Sequence, residues 1–196
     1  MEQARKECIL ESAVHAFRRH GFKKASVDEI ARQAGVAKGT VYLACESKED
    51  LYYQALHREV REWVAESAKR IDPRVPADEL LPQLAFATLA EIDSKPLVKA
   101  LLSGECADLL PRWRARFTEL RELCSANVVE VLKLGTRQGR FRPGLDVEAV
   151  GQLMLDLQIA TLVFHTTGPE QGRDERLQRR AAAAFDLILE GLRPRT

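Results

Sequence analysis

Between residues 26 and 50 the chain carries two helix-start signals with a glycine between them. Ser26-Val27-Asp28-Glu29 and Ser47-Lys48-Glu49-Asp50 each offer a hydroxyl to a free backbone N–H three residues on, and a carboxylate to return the bond. Gly35 stands between them and can take the left-handed backbone that closes a helix. The interval therefore holds a helix from Ser26 to Ala34, a stop at Gly35, and a second helix of only about Ala37 to Ala44. A long helix then starts at Ser47 and reaches about Lys69. Upstream, a helix from Ala4 to His20 places Ile9, Leu10, Ala13, Val14 and Phe17 on one face, and Gly21 ends it.

Downstream, apolar residues keep recurring at spacings of three and four, and no alternating strand pattern interrupts them. The expected class is all-α. Asp72-Pro73-Arg74-Val75-Pro76 breaks the chain. Later helices are predicted over 78–92, 95–110, 111–137, 146–166 and 173–192, with glycine-containing loops at 139–144 and 167–172. Pro82 offers a second place for the first of these to begin.

Composition narrows the partners. The chain has 196 residues, 45% hydrophobic and 30% charged, and a net charge of +1, so any surface attracting nucleic acid must be local. Cys8, Cys45, Cys106 and Cys124 are scattered, which predicts reduced thiols and neither metal, cofactor nor disulfide framework. No signal peptide is apparent, and the apolar runs are read as too short for a membrane span of roughly 20 residues. A soluble cytoplasmic protein is expected. No nucleophile–base constellation, phosphate loop or HExxH motif occurs, and His15, His20, His57 and His165 are dispersed. An enzyme is not expected.

Two short helices joined by Gly35-Val36-Ala37 match a helix-turn-helix, whose second helix would be the reading element. Gly39 costs that helix about 1 kcal/mol relative to alanine, which makes sense if the backbone approaches another body closely. Thr40 and Tyr42 carry hydroxyls for phosphate or base edges, and Lys38 and Lys48 carry charge. Ser26 and Lys48 lie at helix starts that favour anions. Taken singly, each of these is an ordinary solvated residue; their joint placement is what points to DNA.

The run ILESAVHAFRRHGFKKASVDEIARQAGVAKGTVYLACESKEDLY, residues 9 to 52, resembles the TetR-type (tetracycline-repressor-like) transcriptional regulators. The resemblance implies an all-α fold of about nine helices. Residues 1–47 would be a three-helix DNA-binding domain and 48–196 a helical effector-binding and dimerisation domain. It implies that Thr40, Tyr42 and Lys48 contact DNA, that Ser26 meets a phosphate, and that Lys38 and Gly39 sit at the mouth of the major groove. It also implies a repressor that binds a palindromic operator as a homodimer and is released by a small-molecule effector. The chain departs from the family at Ala44-Cys45, where members usually carry an aromatic or histidine followed by phenylalanine. Ala44 cannot make the phosphate contact, and Phe22 or Tyr52 would have to fill the volume left at Cys45. Cys45 itself reads as a small buried thiol, with redox sensing the competing role. A helical small-molecule-binding protein with weak or lost DNA binding is the alternative.

The last two helices suit pairing. Val150, Leu153, Met154, Leu157, Ala160 and Leu162 form one apolar surface, and Ala181, Ala184, Phe185, Ile188, Leu189 and Leu192 form the other. Val150, Leu157, Phe185, Ile188 and Leu189 are the predicted dimerisation residues. For the effector, Phe86, Trp113, Phe117, Met154 and Gln158 are candidates, with Cys124 and His165 nearby in pattern; each also reads as ordinary core. Arg112, Arg114 and Arg116 around Trp113 are either a solvated face or a lure for an anion.

Overall fold

The computed structural model describes residues 2–168 and 173–194. Within these the chain is helical, without strands: α1 (Glu2–Lys24), α2 (Val27–Gln33), α3 (Lys38–Ala44), α4 (Lys48–Ala68), α5 (Ala77–Glu91), α6 (Pro96–Leu102), the single turn α7 (Leu110–Trp113), α8 (Phe117–Arg137), α9 (Val147–Thr167) and α10 (Arg173–Leu192). The predicted loop at 167–172 lies outside the described residues beyond 168.

Two compact units result, and they do not divide at residue 47. The first is Met1–Glu62 together with Lys95–Arg116; the second is Trp63–Ser94 with Phe117–Thr196. The pattern at 47 marks a helix start, which is a local signal, whereas compactness depends on which distant segment returns to cover a face.

In the first unit α1, α2 and α3 close over Ile9, Ala13, Phe17, Ile30 and Val41, all at most 2% exposed. Burying each large apolar side chain contributes about 1.5–3 kcal/mol. The end expected for α1 at Gly21 is a kink there, at φ 70° and ψ 171°, and the helix runs on to Lys24. Tyr52, 0% exposed, centres an aromatic cluster. It meets Phe17 edge-on at 4.9 Å and Phe22 at 5.3 Å, and stacks on Trp113 at 5.8 Å. Both α6 and α7 belong to this unit. Glu59, 1% exposed, is what ties α6 to it. Its carboxylate accepts from the backbone N–H groups of Leu97 and Val98, each at 3.0 Å, and from Arg18 Nε of α1 at 3.0 Å. The first-turn donors of α6 have no intrahelical partners, so a buried carboxylate there is compensated on both sides. Around α7, Tyr53 donates its hydroxyl to the Arg116 carbonyl at 3.0 Å, Arg116 pairs with Asp50, and Arg112 with Glu49 at 3.3 Å.

The predicted helix over 95–110 ends early, at Leu102. Gly104 takes φ +83°, with Gly104 N–H donating to the Leu101 carbonyl and Glu105 N–H to that of Ala100. That is the closure that needs a left-handed residue. The helix expected over 111–137 also breaks, into α7, a 3-10 turn at Arg114–Arg116 and α8.

The second unit is built on Ala77, Leu80, Leu81, Leu84, Val131, Leu132, Phe141, Met154 and Leu192, with Val150, Phe185, Ile188 and Leu189 packed against them. α5 does not wait for Pro82 but begins at Ala77. Its start is held from outside: Ala77 N–H donates to Gln138 Oε1 at 2.9 Å, and Arg140 forks onto Asp78 through two 2.7 Å hydrogen bonds. Gly135 of α8 lies against the Phe141 ring, and a Cβ built there would sit 2.1 Å from it. By length and composition α9 is apolar enough to cross a membrane, contrary to the short runs expected, yet here it packs between α8 and α10.

Candidate nucleic-acid interface and effector groove

The turn between α2 and α3 is set by Gly35 at φ +66°. Gly35 N–H donates to the Arg32 carbonyl at 3.2 Å and Val36 N–H to that of Ala31 at 3.0 Å, a glycine-terminated closure that releases the chain into α3. α2 is capped by Ser26, whose Oγ accepts from Glu29 N–H at 3.1 Å. That leaves the Ser26 hydroxyl proton to donate outward. The Glu29 carboxylate faces Gln33 and His20.

α3 is seated by Val41, 0% exposed. Lys38, Gly39, Tyr42 and Leu43 are exposed, Thr40 and Ala44 half-buried. Tyr42 is 45% exposed. A Cβ on Gly39 would meet nothing within 4 Å, and the residue lies in ordinary helical backbone. Neither packing nor backbone conformation within the chain calls for glycine there. Ser26, Lys38, Gly39, Thr40, Tyr42 and Lys48 thus all belong to one compact unit with accessible groups. Leu43, which the sequence places in the reading helix without assigning it a contact, is 88% exposed. Its spacing of four from Gly39 was the available signal.

The two lysines are held. Lys38 Nζ donates to Asp28 Oδ2 at 2.8 Å, and that carboxylate raises the ammonium's pKa above its ordinary value, keeping it charged. Lys48 lies 4.6 Å over the Phe22 ring and donates to the Lys23 carbonyl at 3.4 Å. Each ammonium thus has a partner within its own unit. Cys45, 5% exposed, donates to the Val41 carbonyl at 3.3 Å. Burial, with Asp50 nearby, pushes its thiol up to about 11. A thiol that stays protonated at neutral pH is a poor redox sensor.

In the second unit, α5, α9 and α10 leave a groove of about 490 Å³ counting its open mouth. Phe86, Met154 and Gln158 line it together, as three of the five candidates. Trp113 belongs to the first unit, in the cluster with Tyr52 and Tyr53, and Phe117 is half-buried at the start of α8, outside the groove lining. None of the lining residues is ionisable. Thr161 donates its hydroxyl to the Leu157 carbonyl of its own helix at 2.8 Å, so the Gln158 amide is the polar feature offered to an occupant. Of the predicted dimerisation residues, Val150, Phe185, Ile188 and Leu189 pack against their own core, and Leu157 is 42% exposed. The outward apolar stripe of α9 is Leu153, Leu157, Ala160 and Phe164, and on α10 Leu187 is 77% exposed.

Comparison with known proteins agrees with this architecture. Residues 9–55 match the family of bacterial regulatory proteins, tetR family. The chain is 26% identical over 167 residues to the HTH-type transcriptional repressor KstR2 of Mycolicibacterium smegmatis, covering 84% of this chain and 81% of the repressor. Its fold is similar to that of a TetR-family transcriptional regulator from Pectobacterium atrosepticum, with TM-score 0.74, 17% identity and coverage of 98% and 95%. It is also similar to that of the regulator FadR from Bacillus subtilis, solved in complex with stearoyl-CoA, with TM-score 0.67, 20% identity and coverage of 95% and 98%. With a glycine-closed helix-turn-helix at residues 26–44 and helices throughout the described remainder, the chain is a DNA-binding transcriptional regulator whose residues 9–55 match the tetR family.

Proposed function

We propose that the protein is a homodimeric repressor that binds a palindromic operator and is released by a small-molecule effector, acting in the cytoplasm without catalysis. The observation that carries DNA reading is Gly39: a helical glycine beside Tyr42, on an exposed face, that nothing in the chain requires. It supports close approach of the α3 backbone to a duplex. Ser26, Thr40, Tyr42 and Lys48 supply phosphate and base contacts, with Lys38 and Gly39 at the groove mouth.

Pairing is supported by α9. Only 22% of its most apolar stretch is buried within the chain. The Leu153–Leu157–Ala160–Phe164 stripe repeats at helix–helix spacing, so a second copy is its natural cover. Two heads would then read half-sites one helical turn or a multiple apart, about 34–36 Å or more.

The effector site is the groove between α5, α9 and α10. Its apolar lining suits a ligand with a hydrocarbon body, oriented by Gln158. The likeness to a regulator solved with stearoyl-CoA supports a long acyl chain.

Selection of bound fragments from random duplex DNA tests the reading: a palindrome is expected, with affinity falling steeply as salt rises. Stearoyl-CoA added to the selected complex is expected to release it. Failure to enrich any duplex would favour the alternative, a ligand-binding protein that has lost its operator.

A further inference from the structure

Leu43 has no task inside the fold. It is 88% exposed, more than any other large apolar side chain among the described residues. Val41, 0% exposed, fixes the rotation of α3, so Leu43 cannot turn inward without unseating the helix. It stands one turn from Gly39, over which there is open space, and adjoins Tyr42. The exposed face of α3 thus combines a bare backbone, a phenol and an isobutyl group.

We propose that Leu43 reads the 5-methyl group of a thymine in the major groove. This rests on the DNA-reading role argued above and names a specificity residue within it. The chemistry of the groove floor selects the target. Guanine and adenine present acceptors at N7, cytosine presents an N4 amino donor, and thymine alone carries an apolar methyl. An isobutyl group against an amino or carbonyl edge leaves that edge desolvated and unpaired, which disfavours the other bases. Against a methyl it removes apolar surface from water on both sides. The open space above Gly39 lets the α3 backbone sink far enough for a side chain as short as leucine to reach that depth.

The test uses the full-length protein and a duplex selected by it from random DNA. Each thymine is replaced in turn by deoxyuridine, which removes the methyl and leaves base pairing intact. Wild type is expected to lose about fourfold in affinity at one thymine in each half-site, and about fifteenfold when both are replaced, as for burial of one methylene-sized group per site. Leu43→Ala is expected to bind the thymine duplex as weakly as wild type binds the deoxyuridine duplex, and to be indifferent to the replacement. Leu43→Gln, which keeps length and helix propensity, is expected to behave the same way. If no single replacement affects wild type, or if Leu43→Ala still loses fourfold on the same replacement, the assignment is overturned while DNA reading stands. If Leu43→Ala keeps wild-type affinity but alters self-association, the leucine serves a protein contact and the assignment is likewise overturned. If wild type enriches no duplex, both readings fall.

Discussion

Among the glycines that sit inside helices, Gly39 in α3 and Gly135 in α8 are there for opposite reasons. A Cβ at Gly135 would fall 2.1 Å from the Phe141 ring and 2.9 Å from Ala77 Cβ, so the second unit's own packing demands its absence. A Cβ at Gly39 would meet nothing. One glycine is required by the inside of the molecule; the other is not, and on the function proposed above it answers to the duplex. A missing side chain is therefore evidence of function only where the surrounding atoms fail to explain it.

The contrast can be broken by substitution. The strongest expected effect concerns what makes the reading unit whole. Glu59→Ala leaves two α6 amide groups without an acceptor and removes the partner of Arg18, and is expected to cost about 3 kcal/mol in chemical denaturation. A loss well under 1 kcal/mol would mean that α6 is not held by this carboxylate. Gly135→Ala comes next: overpacking against Phe141 is expected to cost about 2 kcal/mol, with operator affinity unchanged once the protein is folded. Gly39→Ala should do the reverse. It is expected to raise stability by about 1 kcal/mol and to weaken operator binding about tenfold. A stabilised variant with undiminished binding would remove the argument from Gly39.

The smallest effect is in acid. Burial pushes the Asp50 carboxyl up, but hydrogen bonds from Arg116, the Glu46 backbone and Gln54 outweigh it and hold it below its ordinary value. The Arg140 guanidinium holds Asp78 low as well. Both carboxylates stay ionised deeper into acid when folded than when unfolded. Their stabilisation is therefore complete above the ordinary aspartate value near 3.8 and is lost as pH falls through the lowered ones. Trp113 lies in the first unit and Trp63 in the second, so Trp63→Phe and Trp113→Phe leave one reporter each. Coincident fluorescence transitions are expected below pH 4; separated ones would show that the two units yield independently.

How much was legible in the sequence follows the same division. Ser26, Gly35 and Ser47 act on atoms a few residues away, so α2, the turn, α3 and the start of α4 were read within a residue or two. The helix over 95–110 was overrun because Leu101, Leu102, Cys106, Leu109 and Leu110 keep a helical spacing across the stop at Gly104, with no proline to announce it. Trp113 was grouped with the effector candidates because periodicity reveals that a residue is apolar, not which unit claims it. Phe185, Ile188 and Leu189 show the same limit from another side. They share a face of α10, as read, but that face turns toward the core and the groove of their own chain, where they are half-buried. Leu43 was placed in the reading helix but given no contact, because its exposure is a property of the fold that spacing alone does not reveal.

The return of residues 95–116 to the first unit has a practical consequence for anyone exchanging parts between such proteins. The reading head is not a contiguous cassette. A chimera cut after residue 62 would join α1 and Glu59 to a foreign α6, and one cut after residue 47 would separate α1 from Tyr52 and Glu59 as well; either loses the Arg18–Glu59–Leu97 junction and the Tyr52–Trp113 stack. Transplanting operator preference intact calls for moving both stretches of sequence together.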